Sequence, residues 1–267
     1  MPELSRKQLE ATAAAYEARL VPALFQPWVE PMAKAAQLCA GQHVLDVACG
    51  TGALTRSLPE LVGRTGSVVG LDTNPGMLAV AERIAPNVDW RQGNVDGLPF
   101  ENESFDAVLC QFGLMLFPEP IAALREMERV LAPGGQIAVA VFGGLERNTA
   151  YAAMANAYER RVGQEVANTL RFPFSLGDRS KLLSLFGAAG LDGAVSMERE
   201  ARAQFPSVRD MVLSDVEGWF PLAGLELDED SIEAVVRDAT ADLAPFTTGS
   251  GAVTFPVFVH IATVPKA

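Results

Sequence analysis

Residues 44 to 52 read Val44-Leu45-Asp46-Val47-Ala48-Cys49-Gly50-Thr51-Gly52, and twenty residues after Gly52 a second apolar run, Val68-Val69-Gly70-Leu71, ends in Asp72. An apolar strand, a glycine turn and a second strand closed by a carboxylate is the arrangement that seats an adenosine-bearing cofactor in an open α/β sheet. The glycines let backbone approach the ligand. The nicotinamide fingerprint requires a third glycine where Thr55 stands, and it has no place for Asp46 inside the first strand. A carboxylate buried in a central strand is costly unless paired, so a cationic or amino-bearing ligand above the turn is attractive.

The elements that must position these residues are legible around them. His43 to Ala48 is apolar except at His43 and Asp46, as a central parallel strand should be. Strand and helix then alternate: a helix over Gly52 to Val62, strand 67–72, a helix from Pro75 to Ile84, strand 88–93, strand 105–112, a helix from Pro120 to Leu131, and strand 136–142 after the Pro133-Gly134-Gly135 break. Such alternation predicts a doubly wound, mostly parallel Rossmann-like sheet with right-handed crossovers and helices on both faces. Beyond Gly144 come helices over 150–162 and 178–189. Strands over 195–205 and 253–264 bring the sheet to seven. The segment 207–248 carries two helices, 208–216 and 228–243, and forms a lid inserted between the last two strands. The acidic run Asp228-Glu229-Asp230 suits the start of the second of these helices. Residues 1–38 supply cap helices, over 5–20 and 28–38. The expected division is thus cap 1–38, core 39–206 with 249–267, and lid 207–248, in one compact unit.

The series from residue 44 resembles the class I S-adenosylmethionine-dependent methyltransferases, with Ala48 where many members carry glycine. The resemblance continues at Gly70-Leu71-Asp72-Thr73-Asn74-Pro75-Gly76-Met77-Leu78, at Gly93-Asn94-Val95-Asp96-Gly97-Leu98-Pro99-Phe100, at Phe105 to Gly113, and at Leu131-Ala132-Pro133-Gly134-Gly135. Five ordered motifs over residues 44–135 are similar to the small-molecule branch that includes quinone and natural-product enzymes. The resemblance implies S-adenosylmethionine as cofactor and S-adenosylhomocysteine as product. It places Ala48, Gly50 and Gly52 at the turn, Asp46 on the methionine amino group, Asp72 on the ribose, Thr73 and Met77 beside the adenine, Asn94 and Val95 on its polar edge, and Gln111 and Phe112 beside the transferable methyl. Gln111-Phe112-Gly113-Leu114 departs from the Asp/Asn-Pro-Pro-aromatic pattern of base and amide methyltransferases.

The expected activity is methyl transfer to an oxygen, carbon or nitrogen of a small, apolar or aromatic metabolite. The sulfonium already activates the methyl, so the enzyme chiefly aligns the nucleophile, and no side chain is obligatory as a base. His260 and Tyr16 are the candidates for one, and Gln26 and Trp28 can also reach the pocket from the cap. His43 lies at the wrong end of its strand. Phe172, Phe174, Trp219 and Phe220 offer aromatic walls for an acceptor. Two alternatives stand beside this reading: a cofactor-binding scaffold without methyl transfer, and an NAD-dependent oxidoreductase on the same sheet.

A net charge of -12 with 21 scattered Lys and Arg excludes a phosphate-backbone or anionic-membrane footprint. Cys39, Cys49 and Cys110 form no Cys-x-x-Cys pair, so neither a disulfide framework nor a metal site is expected. No signal peptide is read at the N-terminus, and no apolar run reaches the about 20 residues needed to span a bilayer. A cytoplasmic protein acting on a small-molecule acceptor is the expectation, with oligomeric state open and a homodimer among the options.

Overall fold

The computed structural model describes residues 4–267 of the chain, so Met1 to Glu3 of the expected cap lie outside the described residues. Seven strands form one sheet: β1 His43–Val47, β2 Ser67–Asp72, β3 Asp89–Gln92, β4 Phe105–Gln111, β5 Leu131–Phe142, β6 Val195–Phe205 and β7 Val253–Pro265. Their order is β3-β2-β1-β4-β5-β7-β6, parallel up to β5, with β7 antiparallel to both β5 and β6. The chain passes outward from β1 to β3 on one side, then returns beside β1 as β4. That reversal places a crevice outside the carboxyl ends of β1 and β4, where open α/β sheets take ligands. Central positions such as Val44, Leu45, Val108, Leu109 and Val139 are wholly buried, because helices cover both faces. Both sheet edges carry charge, Asp89 and Arg91 on β3 and Glu198 to Arg202 on β6, which discourages further strand addition.

The helices are α1 Arg6–Ala15, α2 Val29–Ala35, α3 Pro59–Val62, α4 Pro75–Ile84, α5 Pro120–Val130, α6 Thr149–Arg161, α7 Gln164–Arg171, α8 Arg179–Ala189, α9 Val208–Gly218 and α10 Glu229–Asp242. Three sequence expectations change. The helix expected over Gly52 to Val62 is a turn, a single 3-10 turn Thr55–Ser57 and the short α3, because Gly52 is left-handed and Pro59 cannot donate to a continuous ladder. The break before β5 is a bulge rather than a strand end: Leu131 already pairs with Phe105, and pairing resumes at Gln136 with Ala107. The first cap helix does not end near Leu20. After α1 the chain widens into a π-helical segment, Tyr16–Phe25, that carries Pro22 within it. The wider turns bring Tyr16, Leu20, Leu24 and Phe25 to the mouth of the crevice. Helix α7 has no counterpart among the expected elements.

Helix α1 packs on α4 through close backbone contact. α1 starts with a reciprocal capping box between Ser5 and Gln8 and then lies across the start of α4. At Gly76 a methyl in place of hydrogen would stand 2.5 Å from the carbonyl carbon and oxygen of Leu9. Gly76→Ala is therefore expected to destabilise the protein by about 1–3 kcal/mol in urea unfolding and to expose α1 to limited proteolysis. Unchanged stability would show that α1 is not seated there.

Helices α9 and α10, with 3-10 turns at Phe220–Ala223 and Ala244–Phe246, occupy the connection between β6 and β7. Ser207 and Asp228 cap their first turns, and Glu229 and Asp230 sit where the helix dipole favours them. α10 packs on α6 and α9, and Arg161 reaches Asp238 at 2.7 Å across the first of these contacts. Among the described residues no helix is long and apolar enough to cross a membrane.

Candidate functional site

A cavity of about 950 Å3 opens at the carboxyl edge of the sheet. This is near the top of the range for small-molecule sites, with room for a cofactor and an acceptor together. Its floor is the turn after β1. Ala48, Gly50 and Gly52 all have positive φ, at 56°, 57° and 83°. At Ala48 this costs about 1 kcal/mol that glycine would avoid. Size is restricted as well: a methyl on Gly52 would meet the Trp90 ring at 2.3 Å. Asp72 ties the turn to β2, since its Oδ2 accepts the Gly50 amide and its Oδ1 the Asn74 amide, both at 2.8 Å. The cap is tied to the same turn. Glu17 accepts from the Thr51 hydroxyl at 2.6 Å and pairs with Arg56 at 2.8 Å.

Asp46 lies beneath the turn, 1% exposed, in a smaller space shared with Tyr16, Ala48, Gly50 and Gln111. Its Oδ2 accepts the Thr55 hydroxyl at 2.6 Å, and its Oδ1 has no partner. Burial pushes this carboxyl up to about 7, against the Thr55 hydrogen bond and with the Asp72 charge adding to the rise. Burial also raises Asp72, opposed by the Asn74 and Gly50 amides, although one side of it faces the cavity. Gln111 donates its Nε2 to the Phe25 carbonyl at 3.3 Å and leaves its buried Oε1 unpartnered. Two free acceptors beneath an acidic rim form a cradle for an amino-bearing group. Among the described residues no Lys or Arg lines the cavity, so a dinucleotide pyrophosphate would meet no basic side chain there.

Of the residues singled out in the sequence, Tyr16, Ala48, Gly50, Asp72, Met77, Gln111 and Phe112 line the cavity, with Asp46 directly behind. Gly52, Thr73, Asn94 and Val95 do not. The Thr73 carbonyl accepts from Gln92, Asn94 caps the turn at Asp96, and Val95 is packed in the core. His260 is also elsewhere: it is buried in β7 with its Nε2 on the Gly177 carbonyl at 3.0 Å. Tyr16 is at the cavity, but burial, then the Asp72 and Glu17 charges, raise its hydroxyl so far that it stays a donor and not a base. Gln26 and Trp28 do not line the cavity, and Trp28 packs edge-on against Phe112. Phe172, Phe174 and Trp219 are walls, while Phe220 is buried against Tyr158.

Asn74, Phe142, Tyr151 and Asp215 also line the cavity and are not among the residues expected from the sequence. Asp215 had a signal. It falls at the i+7 position of the α9 stripe Val208, Met211 and Val212, where a carboxylate faces inward. Phe112, itself at φ 61°, stacks on Phe142 at 4.3 Å, and Phe142 packs on Phe174 at 5.2 Å. A left-handed phenylalanine is a strained backbone held by these rings.

Residues 44–135 match the family model described as a methyltransferase domain. The chain is similar to a demethylmenaquinone methyltransferase of Oceanobacillus iheyensis, 41% identical over 115 residues, which are 41% of this chain and 48% of that protein. It is also similar to a ubiquinone/menaquinone biosynthesis C-methyltransferase, UbiE, of Hahella chejuensis, 44% identical over 109 residues, 39% of this chain and 44% of that one. The chain thus spans about half the length of the curated relatives it matches. Among solved structures, a protein from Bacillus halodurans titled as a methyltransferase superposes with TM-score 0.58 at 18% identity, covering 89% of this chain and 98% of that one. The YcgJ protein of Bacillus subtilis gives 0.57 at 18% identity, covering 89% and 97%. These two show a shared fold. Residues 44–135, with the sheet order and the switch-point turn, thus resemble a methyltransferase domain.

Proposed function

We propose that the protein transfers the methyl group of S-adenosylmethionine to a small, apolar or aromatic acceptor. The observation that carries this reading is the pair of unpartnered buried acceptors, Asp46 Oδ1 and Gln111 Oε1, beside Asp72 in a cavity with no basic lining. Those groups fit a cofactor with an amino group and ribose hydroxyls but no phosphate. When bound, that cofactor supplies an electrophilic methyl on a sulfonium. Asp46 and Gln111 hold the amino end, and Asp72 accepts the ribose hydroxyls on lone pairs that its two amide partners leave free. Met77 and Asn74 border the adenosyl part, and Ala48 and Gly50 allow close backbone approach.

The cap, of which residues 4–38 are described, and the lid, 207–248, complete the acceptor side. Leu20, Leu24 and Phe25 come from the first, and Trp219 and Leu222 from the second, with Phe172 and Phe174 between them. The Trp219 indole donates to the Thr169 carbonyl of α7 at 3.2 Å, so the lid is latched to the neighbouring wall. An apolar enclosure of this kind excludes water from the reacting centre. The quinone-type substrates named for the relatives agree with these flat walls, and a small metabolite of that shape is the proposed acceptor class.

The direct test is ligand-dependent stability. S-adenosylhomocysteine at a hundredfold excess over its dissociation constant is expected to stabilise the protein by about 2.7 kcal/mol, read as a rise in melting temperature, and NAD is expected to have no effect. A response to NAD with none to either adenosyl ligand would overturn the reading. Labelled methyl donor with cell extract then identifies the methylated product by mass spectrometry.

A further inference from the structure

The far wall of the cavity holds polar groups that the cofactor reading does not use. Asp215 of α9 is 2% exposed, yet it lines the cavity. Its Oδ2 accepts the Tyr158 hydroxyl at 3.2 Å, and among the described residues no donor reaches its Oδ1. Tyr151, about two turns before Tyr158 on the same face of α6, also lines the cavity, and among the described residues its buried hydroxyl has no partner. The Asp215 charge acts on both tyrosines. The cavity thus has a carboxyl at each of two poles, Asp72 at the glycine turn and Asp215 on α9.

Between the poles runs a row of aromatic rings. Phe112 stacks on Phe142, Phe142 packs on Phe174, and Phe174 packs on Tyr151 at 5.3 Å between centroids. A flat apolar body can lie along this row, but a buried carboxyl and an unpaired phenol at its end are costly unless a ligand group meets them. We propose that Asp215 and Tyr151, with Tyr158 holding the carboxyl in place, form the polar anchor for a hydroxyl group of an aromatic acceptor whose body lies along the Phe142 and Phe174 rings. This rests on the methyltransferase reading for the word acceptor, and on the geometry alone for the site. The anchored hydroxyl is a recognition group at the end remote from Asp72, and these residues position the acceptor. Burial supports the assignment by pushing the Asp215 carboxyl up to about 8, so that near neutral pH it is protonated and can both donate to and accept from a hydroxyl.

The test compares 1-naphthol with 1-methylnaphthalene, which replaces the hydroxyl by a methyl of similar size. Binding of each is measured by fluorescence titration to the full chain, with and without saturating S-adenosylhomocysteine. The wild-type protein is expected to prefer 1-naphthol by about tenfold. Asp215→Leu, which keeps the branched shape but replaces both oxygens by methyls, and Tyr151→Phe, which removes only the unpaired hydroxyl, are each expected to bring the preference near unity while the melting-temperature response to S-adenosylhomocysteine persists. Tyr151→Phe should fold at least as well as the wild type, because the oxygen it removes has no partner. Equal wild-type affinity for the two probes, or a preference that survives both substitutions, would overturn the anchor. Absence of any response to S-adenosylhomocysteine with the naphthol preference intact would instead overturn the methyltransferase reading and leave the anchor standing.

Discussion

Asp72→Ala is expected to weaken S-adenosylhomocysteine binding by at least about a hundredfold and to lower folding stability by about 2–5 kcal/mol. Both effects follow from what the carboxylate already does before any ligand arrives. It receives the amides of Gly50 and Asn74, one on each oxygen, and so holds the turn after β1 against the end of β2. Truncation leaves both amides without a partner in a crowded turn, and each unsatisfied buried donor costs about 1–3 kcal/mol. The turn also contains three residues in the left-handed region, including Ala48, so it has little intrinsic preference for its native path. A bound ribose loses two charge-assisted hydrogen bonds, each worth about 1.5–3 kcal/mol, and either suffices for more than a tenfold loss. Asp72→Asn separates the two roles. Its remaining carbonyl oxygen can serve Asn74 or Gly50 but not both, so an intermediate stability and an intermediate affinity are expected. Calorimetric titration beside urea unfolding checks both, and an Asp72→Ala protein with wild-type affinity would remove Asp72 from the site.

The sequence made the near half of this cavity legible because each feature there broke a local rule. Asp46 is a charge in a strand apolar on both faces, the glycine turn interrupts a hydrophobic run, and Asp72 closes the next strand at a fixed distance. The sheet followed from the same alternation, and its order agrees with the expected doubly wound arrangement. What the sequence could not give was reach. Thr73, Asn94 and Val95 satisfy the motif spacing, yet none of them lines the cavity, and the Asn94 side chain accepts from the Asp96 amide instead, because side-chain direction at a strand end depends on loop geometry and not on spacing. Pro22 reads as a helix breaker, while here it sits inside a wide helix whose turns aim Leu20 and Leu24 into the cavity. Asp215 and Tyr158 are 57 residues apart and meet only because α9 folds back on α6. Each lies on an inward stripe of its own helix, but nothing local shows that the two stripes share a cavity.

That buried meeting has a consequence for stability as a function of pH. Asp215 ionises near 3.9 in an unfolded chain and near 8 in the folded one, because burial disfavours its charge more than the Tyr158 hydrogen bond favours it. Between these values the folded protein keeps a proton that the unfolded chain has released, so stability falls as pH rises. The slope reaches about 1.4 kcal/mol per pH unit across the middle of the window. Neighbouring charges do not offset it. Arg19, from the wide helix against α9, is taken by Asp210 and Glu217, and Arg209 is taken by Glu229 and Glu233 of α10. Tyr151 and Tyr158, on α6, are held protonated throughout this range. Asp215→Asn keeps the shape and the oxygen that accepts from Tyr158 but carries no titratable proton. Its stability relative to the wild type is therefore expected to rise by about 2–3 kcal/mol from pH 6 to pH 8 and then to level off. Asp46 titrates in the same region, but it is present in both proteins and drops out of the difference. Urea unfolding of the pair at pH 6, 7, 8 and 9 measures the curve. A flat difference would mean that Asp215 is already ionised in the folded protein at pH 6, and a hydroxyl bound there would then meet a carboxylate that can only accept.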